Sequence, residues 1–161
     1  MLATEQEKAL QIRNSRRILV YVDGSNEDQK VIDAASKMAM EEGAELVIMT
    51  TVKRVRYIPD DFIRFVNSER IVDPPQFLYY KYVGEALLAP YTEMLKAMGV
   101  PFQVQIEVGD KRERIEAVAK SLKPYRLVLS LRDLRDRGFS ATRLLRAEKT
   151  LDLECPITLI P

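Results

Sequence analysis

The first residues able to do chemistry lie at the end of an apolar run, where Ile18-Leu19-Val20-Tyr21-Val22 leads into Asp23-Gly24-Ser25. An ionised carboxylate at the carboxyl end of a buried strand accepts hydrogen bonds from the amino group or hydroxyl of a ligand. Gly24 lets another group come close to the backbone, having no Cβ to obstruct it. Ser25 is of the right type to cap a following helix, whose N-terminus favours negative charge. The same three residues also make an ordinary strand-to-helix turn, and residue type alone leaves both readings standing. A second cluster holds Arg132, Arg135, Arg137, Arg143 and Arg146 within fifteen residues, interspersed with Asp133, Asp136 and Glu148. Guanidinium groups at that density either bind an anion or pair with neighbouring carboxylates on a solvated surface. Lys53-Arg54-Val55-Arg56 poses the same alternatives beside the second strand.

Other chemistry is excluded by composition. The chain has no histidine and a single cysteine, Cys155, placed beside a closing apolar strand where it packs rather than reacts. The commonest general base, the histidine-activated nucleophiles, an intramolecular disulfide and nearly all transition-metal sites are thereby removed. Asp60-Asp61 and Glu41-Glu42 are adjacent in sequence, so neither pair converges on a helix as an acid/base dyad. Phe77, Tyr79, Tyr80 and Tyr82 invite base stacking. Most of them share helical spacing with Leu78, Leu87 and Leu88, which favours packing of a helix instead. With 25 Lys plus Arg against 24 Asp plus Glu, a net charge of +1 gives no general attraction to nucleic acid or anionic membrane. No apolar run approaches the ~20 residues of a bilayer span, and the first fifteen residues are polar rather than signal-like, so a cytoplasmic location is expected.

Positioning these groups requires one core, which 161 residues with 47% hydrophobic and 30% charged content can build. Residues 1–15 read as a leading helix or arm and residues 16–161 as the domain. The first core strand covers 18–22, and a helix covers 26–42, with Val31, Ile32, Ala35, Met38 and Ala39 on one face and Gly43 as its stop. A buried strand covers 44–52. The connection over 53–75 is too long for a plain loop, which predicts a short helix or a lid within it. Residues 76–98 form a helix that Pro90 should kink or divide. Alternation of Phe102, Val104, Ile106 and Val108 with polar residues marks an edge strand. Asp110 and Glu113 have capping-box spacing before a helix carrying Ile115, Val118, Ala119 and Leu122. Leu127-Val128-Leu129 is the fourth strand, residues 138–150 a further helix and 156–160 the last strand. Alternating strands and helices require parallel pairing, hence an α/β doubly wound sheet of five strands with helices on both faces. Ligands in such sheets bind outside the carboxyl ends of the strands, where the order reverses.

From about Arg16 to Ile160 the chain resembles the universal stress protein family. The resemblance rests on the opening strand and turn, Glu42-Gly43-Ala44-Glu45-Leu46, Gly99-Val100, Val108-Gly109-Asp110 and Glu154-Cys155-Pro156-Ile157, in that order. It implies a strand order of 3-2-1-4-5, dimerisation through the last strand, and ATP or AMP as the ligand of many members. Carried over, it places Asp23 against the adenine or ribose, Gly24 at a close approach and the Val52 backbone against the base. The phosphate end departs from the family. Nucleotide-binding members carry Gly-x-x-Gly after the fourth strand and a later Gly followed by Ser or Thr, which let backbone N–H groups wrap phosphates. Here Ser130 and Asp133 stand at the first two glycines, and the third position falls near Arg143-Leu144. A carboxylate facing phosphates repels them unless something neutralises it.

The expected function is therefore a non-catalytic regulator of universal stress protein type that is not a standard ATP binder and acts on a protein partner or another ligand. Two alternatives stand beside it: a nucleotide switch for ATP or AMP with slow or no ATPase activity, and an accessory domain associated with a transporter. The candidate ligand residues are Asp23, Gly24, Ser25, Val52, Ser130, Arg132, Arg135, Arg137 and Arg143. A homodimer through the apolar edge strand Ile157 to Ile160 is expected, since such an edge needs cover.

Overall fold

A computed structural model describes residues 16–135 and 155–161. Strands β1 (Arg17–Tyr21), β2 (Glu45–Val52), β3 (Phe102–Val108), β4 (Arg126–Ser130) and β5 (Ile157–Ile160) form one sheet of order β3-β2-β1-β4-β5. Every pairing is parallel, with Val20 opposite Ile48 on one side and Val128 on the other. The expected doubly wound topology is therefore present. Helices α1 (Asp28–Glu42), α2 (Asp60–Ser68), α3 (Pro75–Met98), α4 (Lys111–Leu122) and the short α5 (Leu131–Arg135) surround it. The leading residues 1–15 and the helix expected over 138–150 lie outside the described residues.

Strand alternation divides the core into two layers. Ile18, Val20, Leu46, Ile48 and Val128 face α1 and α3, which contribute Val31, Ile32, Ala35, Leu88 and Leu95. Leu19, Tyr21, Val47, Met49, Leu127 and Leu129 face Ile115, Val118 and Ala119 of α4, with Cys155 half-buried at the margin of this second layer. Full burial of a leucine such as Leu88 or Leu95 contributes about 1.5–3 kcal/mol. These two residues also explain why, of the two expected effects of Pro90, division does not occur and α3 runs on through it. Pro90 is exposed, and Leu88 and Leu95, on either side of it in sequence, are buried on the sheet. Their burial holds the helix together against the about 3 kcal/mol that an internal proline costs.

The long connection contains α2, as the expected short helix. Phe62 meets Tyr79 and Tyr82 edge-on at centroid distances of 5.4 and 5.8 Å, and Phe65 meets Tyr82 at 6.1 Å. The Val55 N–H donates to the Tyr80 hydroxyl at 3.1 Å. These tyrosines therefore pack α2 and its approach onto α3. Gly84 lets α3 lie close to β3, since a Cβ there would stand 2.5 Å from Cγ2 of Ile106. The expected cap at Asp110 is present, its carboxylate accepting the Glu113 N–H at 3.1 Å.

Candidate functional site

The strand order reverses between β1 and β4, whose carboxyl ends carry Asp23 and Ser130. Crevices of this kind are where ligands enter doubly wound sheets. At the end of β1, the Asp23 N–H donates to Asp28 Oδ1 at 3.1 Å and the Gly24 N–H donates to Asp28 Oδ2 at 2.7 Å. The Tyr91 hydroxyl of α3 reaches the same carboxylate at 3.4 Å. Gly24 has φ 88°, a left-handed conformation open to glycine, and a Cβ on it would meet Leu87 at 3.4 Å. The Ser25 N–H donates to Asp23 Oδ1 at 3.0 Å, closing a turn that presents the Asp23 carboxylate at the crevice.

Ser25 does not cap α1. The helix begins at Asp28 after Glu27, and neither the expected start at Asn26 nor a side-chain cap is present. The physical reason is Asp28: its buried carboxylate already satisfies the turn's N–H groups and positions the chain before the helix starts.

The opposite wall differs more from expectation. The chain after β4 does not open into a loop but turns directly into α5. Asp133 lies inside, its side chain only 3% exposed, with Lys111 Nζ donating to its Oδ1 at 3.1 Å. Ser130 Oγ donates to Asp133 Oδ2 at 2.9 Å and accepts the Asp133 N–H at 3.2 Å. Lys111 also stands 5.7 Å from the centroid of the Tyr21 ring, while the Tyr21 and Thr51 hydroxyls share a hydrogen bond of 2.8 Å. The Asp133 carboxylate is thus paired from within by the first residue of α4.

The electrostatics separate the carboxyls. Burial drives Asp133 up from its ordinary 3.8 to about 6, opposed by Lys111 and reinforced by the charge of Asp23. Burial also works to raise Asp23, but hydrogen bonds from Ser25 and Asp133, with Lys111 nearby, hold it below the usual carboxylate range. Of the two carboxyls, Asp133 is therefore the first to take up a proton as pH falls, and Asp23 the last. Asp28 is raised chiefly by burial, and Tyr21, pushed far up by burial, stays protonated. Among the described residues no group of three or more histidine, cysteine, aspartate or glutamate side chains is arranged to hold a metal.

Of the residues singled out in sequence, Asp23, Gly24, Ser25 and Ser130 come together at the crevice. Val52 ends β2, and its carbonyl accepts the Gly109 N–H at 3.1 Å. Arg132 is exposed on α5 and Arg135 ends that helix, while Arg137 and Arg143 lie outside the described residues. Lys53 and Arg54 line a separate cleft of about 350 Å³ at the ends of β2 and β3, with Gly109, Asp110 and Arg114. Sequence reading missed Lys111 and Asp28. The signal for Lys111 was its place directly after Gly109-Asp110, at the carboxyl end of the sheet. Asp28 had no signal beyond its spacing from Asp23.

Comparison with known proteins places this geometry in context. The sequence model of the Universal stress protein family matches residues 14–140. No curated protein matches the chain. A universal stress family protein from Burkholderia pseudomallei has a similar fold, with TM-score 0.57 and 23% identity over 91% of this chain and 96% of that one. A family protein from Arabidopsis thaliana, solved with AMP bound, gives TM-score 0.58 and 17% identity over 90% of each chain. A universal stress protein in complex with cAMP gives 0.58 and 20% over 90% of this chain and 95% of that one. Since the family match spans most of the sequence and the sheet has the order 3-2-1-4-5, this chain belongs to the universal stress protein family.

Proposed function

We propose that this chain is a non-catalytic regulatory protein of the universal stress type whose crevice is closed to ATP at neutral pH. The observation that carries the reading is the Lys111–Asp133 pair with Ser130. It fills with side chains the wall where the resemblance asks for glycine N–H groups, and adds a carboxylate beside Asp23. A triphosphate brought there meets the Asp133 carboxylate beside Asp23, and the Asp133 N–H is already taken by Ser130 Oγ. No histidine is present to act as a base, which supports binding rather than turnover.

A second reading, a nucleotide switch taking a ligand of lower charge such as AMP, draws on Asp23. Its carboxylate stays ionised at the crevice and able to accept a hydroxyl or amino group. Family members solved with AMP and with cAMP make that ligand class reasonable. Isothermal titration at neutral pH with ATP, AMP and cAMP distinguishes the readings. The expected result is no ATP binding at micromolar affinity. Micromolar ATP binding that Asp23→Ala abolishes would overturn the first reading and leave the second.

Assembly and location belong to the same proposal. β5 is a half-buried strand at the end of the sheet order, and an edge of this apolar character favours a homodimer through Ile157–Ile160. Light scattering should give the mass of a dimer, and Thr158→Pro, which places a proline in the edge strand, should lower it to that of a monomer. A monomeric mass for the unaltered chain would count against this interface. Among the described residues no helix is long and apolar enough to cross a membrane, and a cytoplasmic regulator remains the proposed setting.

A further inference from the structure

β1 and β4 frame the crevice, whereas the cleft of about 350 Å³ lies at the ends of β2 and β3. Two elements line it with opposite charges: Lys53 and Arg54 follow β2, while Asp110 caps α4 and Glu113 lies in its first turn. Gly109 makes that arrangement possible. Its φ of 133° is open to glycine, and its N–H donates to the Val52 carbonyl at 3.1 Å, so the chain turns from β3 into α4 directly beside the end of β2. Part of the charge is already engaged. The Asp110 carboxylate accepts the Glu113 N–H at 3.1 Å, and Arg114 Nη2 donates to Glu107 Oε1 at 3.2 Å. Among the described residues, however, the side chains of Lys53, Arg54 and Glu113 form no ion pair, although all three line one cleft.

Opposite charges that line one cavity without closing on each other favour a molecule that carries both signs. A simple anion would meet Asp110 and Glu113 there, and a simple cation would meet Lys53, Arg54 and Arg114. A cavity of about 350 Å³ is at the small end of ligand sites, which suits an amino acid better than a nucleotide. We propose that this cleft is a second ligand site, taking a free α-amino acid as its zwitterion: Lys53 and Arg54 engage the carboxylate, and Glu113 engages the ammonium. Val108 offers the ligand's side chain an apolar contact. The charges of a peptide's two ends are separated along its chain, whereas a free amino acid brings both to one carbon and into one small cleft. The site is independent of the closed-crevice reading, which rests on Asp23, Ser130, Lys111 and Asp133.

Three probes separate the charges: L-norleucine carries both, hexanoate only the carboxylate and pentylamine only the ammonium. Calorimetry at neutral pH should show L-norleucine binding about tenfold or more tightly than either analogue, since a lost hydrogen bond to a charged group costs about that factor. Glu113→Gln keeps a side chain suited to the third position of the helix and should lower L-norleucine affinity to that of hexanoate, without weakening hexanoate. Lys53→Met combined with Arg54→Met, both at exposed positions, should lower it to that of pentylamine. Amide NMR shifts on adding L-norleucine should centre on Lys53, Arg54, Gly109 and Glu113. Absence of binding at about 10 mM L-norleucine overturns the proposal. So does an analogue that binds as tightly as L-norleucine, or a set of shifts confined to Asp23, Gly24 and Ser130. Equal loss of hexanoate and L-norleucine in Glu113→Gln overturns it too, because a side chain that only supports the fold affects both. Tight ATP binding at neutral pH would instead refute the closed-crevice reading and leave these measurements untouched, so the two failures are distinguishable.

Discussion

Replacing Lys111 by methionine should lower stability by about 3 kcal/mol at about pH 8, and by less than half of that at about pH 5. Methionine keeps the length and much of the volume of the lysine, so the loss reports the missing cation. Asp133, 3% exposed in its side chain, would then be a buried carboxylate with Ser130 as its remaining donor and Asp23 as a repulsive neighbour. The sign follows from linkage. Asp133 has a folded-state pKa raised from 3.8 to about 6, so the fold favours its protonated form. Its ionisation therefore weakens the fold as pH rises through that window, fully so above it. Lys111 limits the penalty, and its removal should enlarge it where Asp133 would be charged and matter little where it is neutral. Urea unfolding of both proteins at the two pH values provides the measurement. Equal losses at both would mean that Lys111 does not act through the charge of Asp133.

Gly84→Leu should cost about 3 kcal/mol or prevent accumulation of folded protein, the upper end of what overpacking costs. A Cβ at this position would lie 2.5 Å from Cγ2 of Ile106 and 2.8 Å from its Cδ1 and Cγ1, so α3 cannot keep its distance from β3. Helix propensity acts the other way, since alanine is about 1 kcal/mol better than glycine in a helix interior. Gly84→Ala should still lose stability on balance, and combining it with Ile106→Val should recover part of that loss. Thermal unfolding of the single and paired variants decides the matter, and a Gly84→Ala protein more stable than its parent would refute the close-approach argument. The displacement would also reach the crevice, because α3 carries Leu87 toward Gly24 and Tyr91 toward Asp28. Weakened ligand binding in a folded Gly84→Ala protein would be its functional signature.

The elements were legible because their signals are local. Apolar runs at 18–22 and 127–129, the helical stripe from Val31 to Ala39, the Asp110 cap and the stops at Gly43 and Gly99 each depend on a few consecutive residues. Pro90 was expected to kink or divide helix α3, and it does not divide it: Leu88 and Leu95 hold the helix to the sheet, and Pro90 faces water. At the start of α1, Ser25 looked like the cap, whereas Asp28 serves the turn because its carboxylate folds back onto two N–H groups at once.

The same division runs through the crevice. Sequence by itself determined the fold class, the strand-to-turn unit at Asp23-Gly24-Ser25, the presence of Ser130 and Asp133 rather than glycines after the fourth strand, and the exclusion of histidine chemistry, since these depend on residue type and near spacing. Only the tertiary structure decided what Asp133 is. Read along the chain it is an unneutralised charge facing a ligand, but Lys111 lies twenty-two residues away and reaches it because α4 and α5 begin at the same end of the sheet. Parallel topology brings the carboxyl ends of β3 and β4 to one rim, so a contact invisible to sequence spacing turns a lone carboxylate into a closed ion pair.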